Sequence, residues 1–228
     1  DAVKFQTFTA KRLIADLPDL LVNGRKKVDY LKQYELPYEW HKDLFEYANK
    51  KGIAFLSTPF DENAVDLLYK IGVPCFKVSS FELVHFPLLK YIAGKKKPVI
   101  LSTGMADLKE IKEAVNLIKN QGNKNIALLH CNSSYPVDFK EANIKVIQAL
   151  KNKFDMPIGY SDHSMRIELS LAAVALGANI IEKHFTLDRR MEGPDHKFAI
   201  EPAELKEMIR CIRNIEPSLG SGVKKLSK

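Results

Sequence analysis

An α/β fold with a parallel, closed sheet is what this sequence predicts, on three observations. Short apolar, β-branched runs alternate with longer amphipathic stretches along the whole chain. From Ile53 onward one run follows another at a spacing of about 22 to 32 residues, the length of a right-handed strand–helix–strand unit. No glycine-rich dinucleotide or phosphate-loop motif follows the first run, which weighs against an open doubly wound sheet. Seven such units in series, with no break in composition, favour a (β/α)8 TIM barrel.

The strand-like runs are AVKFQ at Ala2, IAFLSTPF at Ile53, CFKVSS at Cys75, PVILST at Pro98, NIALLHC at Asn125, PIGYSD at Pro157 and NIIEKHF at Asn179. After the first of them, the polar and aromatic stretch from Asn23 to Trp40 reads as a loop inserted over the barrel mouth, running into a helix. DENAVDLLYKIG is helical, with an acidic first turn and a glycine at its end. DLKEIKEAVNLIKNQG puts Leu108, Ile111, Val115 and Ile118 on one face and stops at Gly122. RIELSLAAVALGA is nearly all apolar, so it is expected to be well buried.

A closed barrel of this kind needs eight strands, and seven are visible, the first starting at Ala2. The expectation is an excised piece lacking its first strand and helix. Residues 1–219 are then the barrel domain, and residues 220–228, beginning GSGVKK, are a linker towards a further domain.

Composition narrows the class. Hydrophobic residues make up 46% and charged residues 28% of 228, as in a soluble globular protein. No apolar run reaches the ~18 residues of a membrane span, and no signal peptide opens the chain. Cys75, Cys131 and Cys211 lie far apart without metal-ligand spacing, which points to a reducing cytoplasm. The formal charge of +7 would suit nucleic acid, an acidic membrane surface or a small anionic substrate. The basic runs Arg25–Lys27 and Lys95–Lys97 are short and read as solvated loops, and no nucleic-acid-binding pattern occurs.

Every apolar run ends in polar groups, and chemistry in a parallel barrel collects at the C-terminal ends of its strands. The groups include Lys4 and Gln6; Ser57 and Thr58; Lys77, Ser80 and Glu82; Ser102 and Thr103; His130, Ser133 and Tyr135; Ser161, Asp162 and His163; and Glu182, Lys183 and His184. Strand alternation puts Ser161 with His163 and Glu182 with His184, with Lys183 on the opposite face. Two imidazoles on adjacent strands could share one ion, and with solvent they suit Mn²⁺ or Zn²⁺. Two hydrogen-bonded structural histidines are the alternative. Lys4 and Lys77 sit within apolar runs and need anionic partners if buried. Lys77 could instead form a Schiff base. Either role implies a small anionic substrate, and no GxSxG elbow supports a serine nucleophile.

The stretches DAVKFQTF, FLSTPFD, FKVSSFEL, PVILSTGMA, LLHCNSSYP, PIGYSDHS, AAVALGANIIEKHFTLDRRMEGPDHKFAIEP and IRNIEPSLGSGVKK span nearly the whole chain. In them the chain resembles the sialic acid synthase family, whose members make N-acetylneuraminic, legionaminic and pseudaminic acids. The resemblance implies a (β/α)8 barrel that condenses phosphoenolpyruvate with an N-acetylated amino sugar, releasing phosphate, with a divalent metal such as Mn²⁺ or Mg²⁺. It implies His163 and His184 as metal ligands. Phosphoenolpyruvate would meet Lys4, Lys77, Ser80, Ser102, Ser133 and Ser161. The sugar would meet Glu82, Tyr135 and Asp195, with Gln6 nearby, and Glu82 and Lys77 would carry catalysis. It implies a homodimer for the full-length protein, and neither nucleic acid nor membrane as partner.

The chain departs from that pattern at Ser133, where better-known members carry asparagine, and at Ser79, where glycine is common. The family's opening segment and its C-terminal antifreeze-like domain have no counterpart in the sequence. Without them the chain by itself is expected to be weakly active or inactive. A related spore-coat or surface polysaccharide synthase with another acceptor is one alternative. An inactive sugar-binding barrel is another.

Overall fold

The computed structural model describes residues 1–17 and 19–224. They form two compact units, residues 1–101 with 106–126, and residues 102–105 with the chain from Ala127 onward.

The first unit runs β1 (Ala2–Thr7), α1 (Ala10–Leu13), β2 (Leu21–Val22), β3 (Arg25–Lys26), α2 (Lys27–Lys32), α3 (Trp40–Lys50), β4 (Ala54–Pro59), α4 (Glu62–Ile71), β5 (Phe76–Val78), a 3-10 turn at Phe81–Val84, α5 (Phe86–Gly94), β6 (Val99–Ser102, whose last residue belongs to the second unit) and α6 (Leu108–Asn120). β1 pairs in parallel with β4, Lys4 opposite Leu56 and Gln6 opposite Thr58. β5 pairs in parallel with β6, Lys77 opposite Ile100. Parallel pairs need a crossover: the chain between β1 and β4 runs through α1 to α3, and that between β5 and β6 through α5.

The helices begin and end where their sequences provide caps. Asp61 accepts from the backbone N–H of Ala64 at 2.9 Å, and Gly72 closes α4 at φ +93, a conformation that favours glycine. Asp107 and Glu110 form a reciprocal capping box at the start of α6. The buried stripe of α6 is Ile111, Ala114, Val115 and Ile118. Leu108, expected on that stripe, is instead exposed, because it is the first residue of the helix.

The expected loop from Asn23 to Trp40 has structure of its own. β2 and β3 form a short antiparallel ladder, Leu21 opposite Lys26, and α2 follows it. The basic run at Lys95 is not simply solvated either. Lys95 bonds Asp66 at 2.5 Å and lies 4.4 Å from the centre of the Tyr91 ring.

The second unit runs β7 (Ile126–Cys131, whose first residue belongs to the first unit), α7 (Val146–Lys153), β8 (Ile158–Asp162), α8 (Glu168–Ala175), β9 (Ile181–Lys183), a 3-10 turn at His196–Phe198, and α9 (Pro202–Ser218). β7 pairs in parallel with β8, and β8 with β9. All of β7 and β8 is buried, which is the mark of a parallel sheet covered on both faces. β9 is shorter than the run NIIEKHF suggested: regular pairing ends at Lys183, and Phe185 makes only an isolated bridge to Ile200. His184 therefore leaves the sheet just beyond the strand. α9 ends at Ser218, and residues 225–228 of the expected linker lie outside the described residues.

Candidate active site

Register brings the predicted residues of the second unit together. Ser161 lies opposite Glu182, and Asp162 opposite Lys183. The next residues along, His163 and His184, stand with ring centroids 5.3 Å apart, edge to face. The expected alternation holds: Ser161 donates to Glu182 Oε1 at 2.9 Å on the histidine side, while Asp162 and Lys183 bond each other on the opposite side.

The hydrogen bonds fix both imidazoles. His163 Nδ1 lies 2.6 Å from the carbonyl of Asn132, which can only accept, so Nδ1 carries the proton. His184 Nδ1 lies 3.2 Å from Asp195 Oδ2, which assigns it the same tautomer. In both neutral rings the basic lone pair is then on Nε2. Metal-binding histidines have this arrangement, one nitrogen held by a carbonyl or carboxylate and the other directed at the ion. Ser161 lies 3.4 Å from His163 Nε2, but its proton goes to Glu182.

Aromatic rings enclose the pair. Tyr135 stacks on His163 at 4.3 Å and meets His184 at 5.9 Å, and Phe198 packs on His184 at 5.0 Å and on Tyr135 at 5.3 Å. Burial, with Cys131, Asp195 and Glu182 acting in the same direction, pushes the Tyr135 phenol up to about 12. Burial alone would raise Asp195, but His184, His163 and His196 outweigh it and hold the carboxyl below its ordinary value. Among the described residues no group of three or more His, Cys, Asp or Glu is placed to hold a metal. Two imidazoles could hold a divalent transition ion only with water or substrate oxygens at its other positions.

Ser102 is buried at the end of β6. Ser133 Oγ is buried with no hydrogen-bond partner among the described residues. A side chain on Gly104 would come within 2.6 Å of Cys131 Sγ and 3.0 Å of Ser133 Oγ, so only glycine lets the chain pass there.

The first unit holds the other predicted residues. Lys77 is 2% exposed and donates to the carbonyl of Val78 at 3.0 Å. Ser79 Oγ bonds Glu82 directly. Burial raises the Glu82 carboxyl above its ordinary value, with Ser79, His85 and Lys77 opposing. Ser80 precedes the 3-10 turn that carries Glu82. Lys4 is half-buried rather than buried, and Gln6 is exposed near the end of β1. Burial of β1 is partial along most of its length, so its apolar composition overstated how far Lys4 is enclosed.

Two contributions had no signal in the sequence reading. Asn132 acts through its backbone carbonyl, which no side-chain pattern reveals. Phe198 reaches the histidines from a turn without periodicity. His130, grouped with the strand-end residues, is a satisfied structural histidine: it bonds the Ala142 carbonyl at 2.9 Å and packs on Tyr160.

A parallel α/β sheet with polar side chains gathered just past neighbouring strand ends is the arrangement of the α/β barrel class. Residues 1–224 match the NeuB family, and the chain belongs to it. It is 49% identical over 237 residues to an N,N'-diacetyllegionaminic acid synthase of Campylobacter jejuni, covering 100% of this chain and 71% of that protein. It is 42% identical to the spore coat polysaccharide biosynthesis protein SpsE of Bacillus subtilis, covering 99% of this chain and 62% of that one. Among solved structures, an N-acetylneuraminic acid synthetase from Leptospira borgpetersenii, in complex with citrate, superposes with a TM-score of 0.91 at 38% identity. That match covers 99% of this chain and 76% of the other. The fold class expected from the sequence is the one these proteins share, and the chain spans part of their length.

Proposed function

We propose that this chain is the catalytic barrel of a nonulosonate synthase, joining phosphoenolpyruvate to an N-acetylated amino sugar of the N-acetylmannosamine type. The observation that carries this reading is the imidazole pair of His163 and His184, side by side past neighbouring strands and each held through Nδ1, which makes Nε2 the basic nitrogen of the neutral ring. Names of similar proteins support the reaction type, since they include synthases of legionaminic and N-acetylneuraminic acid.

In this reading His163 and His184 hold Mn²⁺ or Mg²⁺, and two nitrogen donors favour Mn²⁺. When bound, the ion polarises the sugar's aldehyde oxygen. Lys4, Lys77, Ser80, Ser102, Ser133 and Ser161 supply cations and hydroxyls for the phosphate and carboxylate of phosphoenolpyruvate. Gln6, Glu82, Tyr135 and Asp195 take the sugar. C3 of phosphoenolpyruvate bonds to the aldehyde carbon, and the aldehyde oxygen takes a proton. Glu82 is the proton donor, because burial lets it hold a proton to higher pH. Water then adds at C2 and gives up a proton, and the C2–O bond to phosphate breaks. Lys77 stabilises the departing phosphate. One water is consumed, and one keto acid and one phosphate are formed. The substrates place the reaction in the cytoplasm, and the same reading has two copies paired in the full-length protein.

Phosphate release by the full-length protein tests this. The assay uses phosphoenolpyruvate, Mn²⁺ and a panel of N-acetylated amino sugars that includes N-acetylmannosamine. Release that depends on one of the sugars is expected. No release with any of them would sink the reading.

A further inference from the structure

The chemistry above leaves one buried charge unused. Lys183 lies between Glu182 and His184, yet its side chain is only 2% exposed and points away from the histidines. Its Nζ is 3.1 Å from Asp162 Oδ2, whose side chain is fully buried. Nζ also donates to the carbonyl of Ser164 at 2.7 Å. Asp162 accepts twice more, from the Ser164 N–H at 2.8 Å and from the Ser170 hydroxyl of α8 at 2.6 Å.

A buried ion pair is a poor source of stability, because desolvation cancels most of the attraction, and a well-packed apolar pair often does as well. What this pair adds is direction. Its bonds tie three pieces of chain at one point: the end of β8 with the turn after it, the end of β9, and α8. His163 lies between Asp162 and Ser164, both of which are in the knot. His184 directly follows Lys183. On the other face the two strand ends are linked by the Ser161–Glu182 bond.

We propose that the Asp162–Lys183 pair is a positioning device that sets the separation of His163 and His184, and so the affinity of the metal site they form. This rests on the reading of those histidines as metal ligands. Outer groups that orient ligands are worth about 10–100-fold in metal affinity. The pair touches neither ion nor substrate, so its effect is on binding geometry.

The experiment is Mn²⁺ titration of the intact protein, followed by the electron paramagnetic resonance of free Mn²⁺ well below the melting temperature. The variants are Asp162→Leu with Lys183→Met, Lys183→Arg alone, and His184→Ala. The double variant is expected to melt cooperatively and to bind Mn²⁺ about 10–100-fold more weakly. Lys183→Arg, which keeps the charge but not the reach, is expected to show a smaller loss, and it decides the matter if the double variant does not fold. His184→Ala is expected to abolish binding. A folded double variant or, failing that, a Lys183→Arg protein with the parent's affinity overturns this inference while leaving the metal site standing. A parent that binds no Mn²⁺, or a His184→Ala protein that binds it as well as the parent, overturns both.

Discussion

Tyr135 lies on the imidazole of His163, with ring centroids 4.3 Å apart and planes tilted by 31°. The phenol thus does two things: its ring props the histidine, and its hydroxyl is a donor that stays neutral throughout the ordinary pH range. The two can be separated. Tyr135→Phe keeps the ring and is expected to leave the melting temperature unchanged while raising the sugar's KM roughly five- to tenfold, the worth of one hydrogen bond. Tyr135→Ala also loses the contacts to His184 and Phe198, and is expected to cost about 1–3 kcal/mol by urea unfolding.

Glu82→Gln removes a proton donor but keeps shape and burial. It is expected to lower kcat by about 10²–10⁴-fold, with the KM of phosphoenolpyruvate unchanged and that of the sugar changed far less than kcat, because glutamine still hydrogen-bonds. The parent's rate is expected to fall as pH rises through the raised pKa of Glu82, and the variant to lack that limb. A pH–rate profile with an unchanged basic limb in Glu82→Gln would remove Glu82 from the proton-transfer role.

Acid is expected to destabilise the fold through two histidines. His41, 0% exposed, lies 2.7 Å from Thr7 Oγ1 and 3.0 Å from the carbonyl of Pro37, and burial lowers its pKa. Burial does the same to His130. A histidine with a lowered folded pKa gives the unfolded chain the greater affinity for protons. The neutral rings therefore contribute fully above the unfolded value of about 6.5, and that contribution is lost as pH falls from there through the lower folded values. Melting temperatures measured from pH 8 to pH 5 should drop below about pH 6.5, and His41→Gln should flatten the drop.

Gly159→Ala is expected to destabilise strongly although it adds one methyl. The new Cβ would press on the carbonyl oxygen of Ile180, and would lie 2.6 Å from Leu129 Cδ2 and 2.8 Å from Ile180 Cβ. Two of these neighbours belong to the strand or backbone beside β8 and cannot swing aside. A cost of at least about 1–3 kcal/mol is expected in denaturant unfolding. Gly94, where an added Cβ meets nothing within 4 Å, is the control, and its alanine variant should be neutral or stabilising.

The seven long-range strands were legible because each is an apolar run bounded by turn residues, and the acidic start and glycine end of α4 were legible as local chemistry, whereas the capping box of α6 was not read. The short β2–β3 ladder was not, since two-residue pairs carry no periodicity. At the site, alternation alone separated Glu182 and His184 from Lys183, and the register confirms it. Alternation could say where Lys183 points but not what it meets. Its partner, Asp162, is twenty-one residues earlier in the sequence, and only the pairing of β8 with β9 makes the two neighbours. The role of Asn132 was hidden for a different reason: every residue has a carbonyl.

The serine of α8 has one more consequence. The helix is apolar nearly all the way round, so water gives it little reason to prefer one azimuth over another. Greasy helices of this kind can roll on a sheet at small cost. Ser170 is fully buried and bonded to Asp162, and a roll of one residue would break that bond and bury the hydroxyl without its acceptor. The hydroxyl therefore works as a keyway: it admits α8 in one rotational setting and refuses its neighbours.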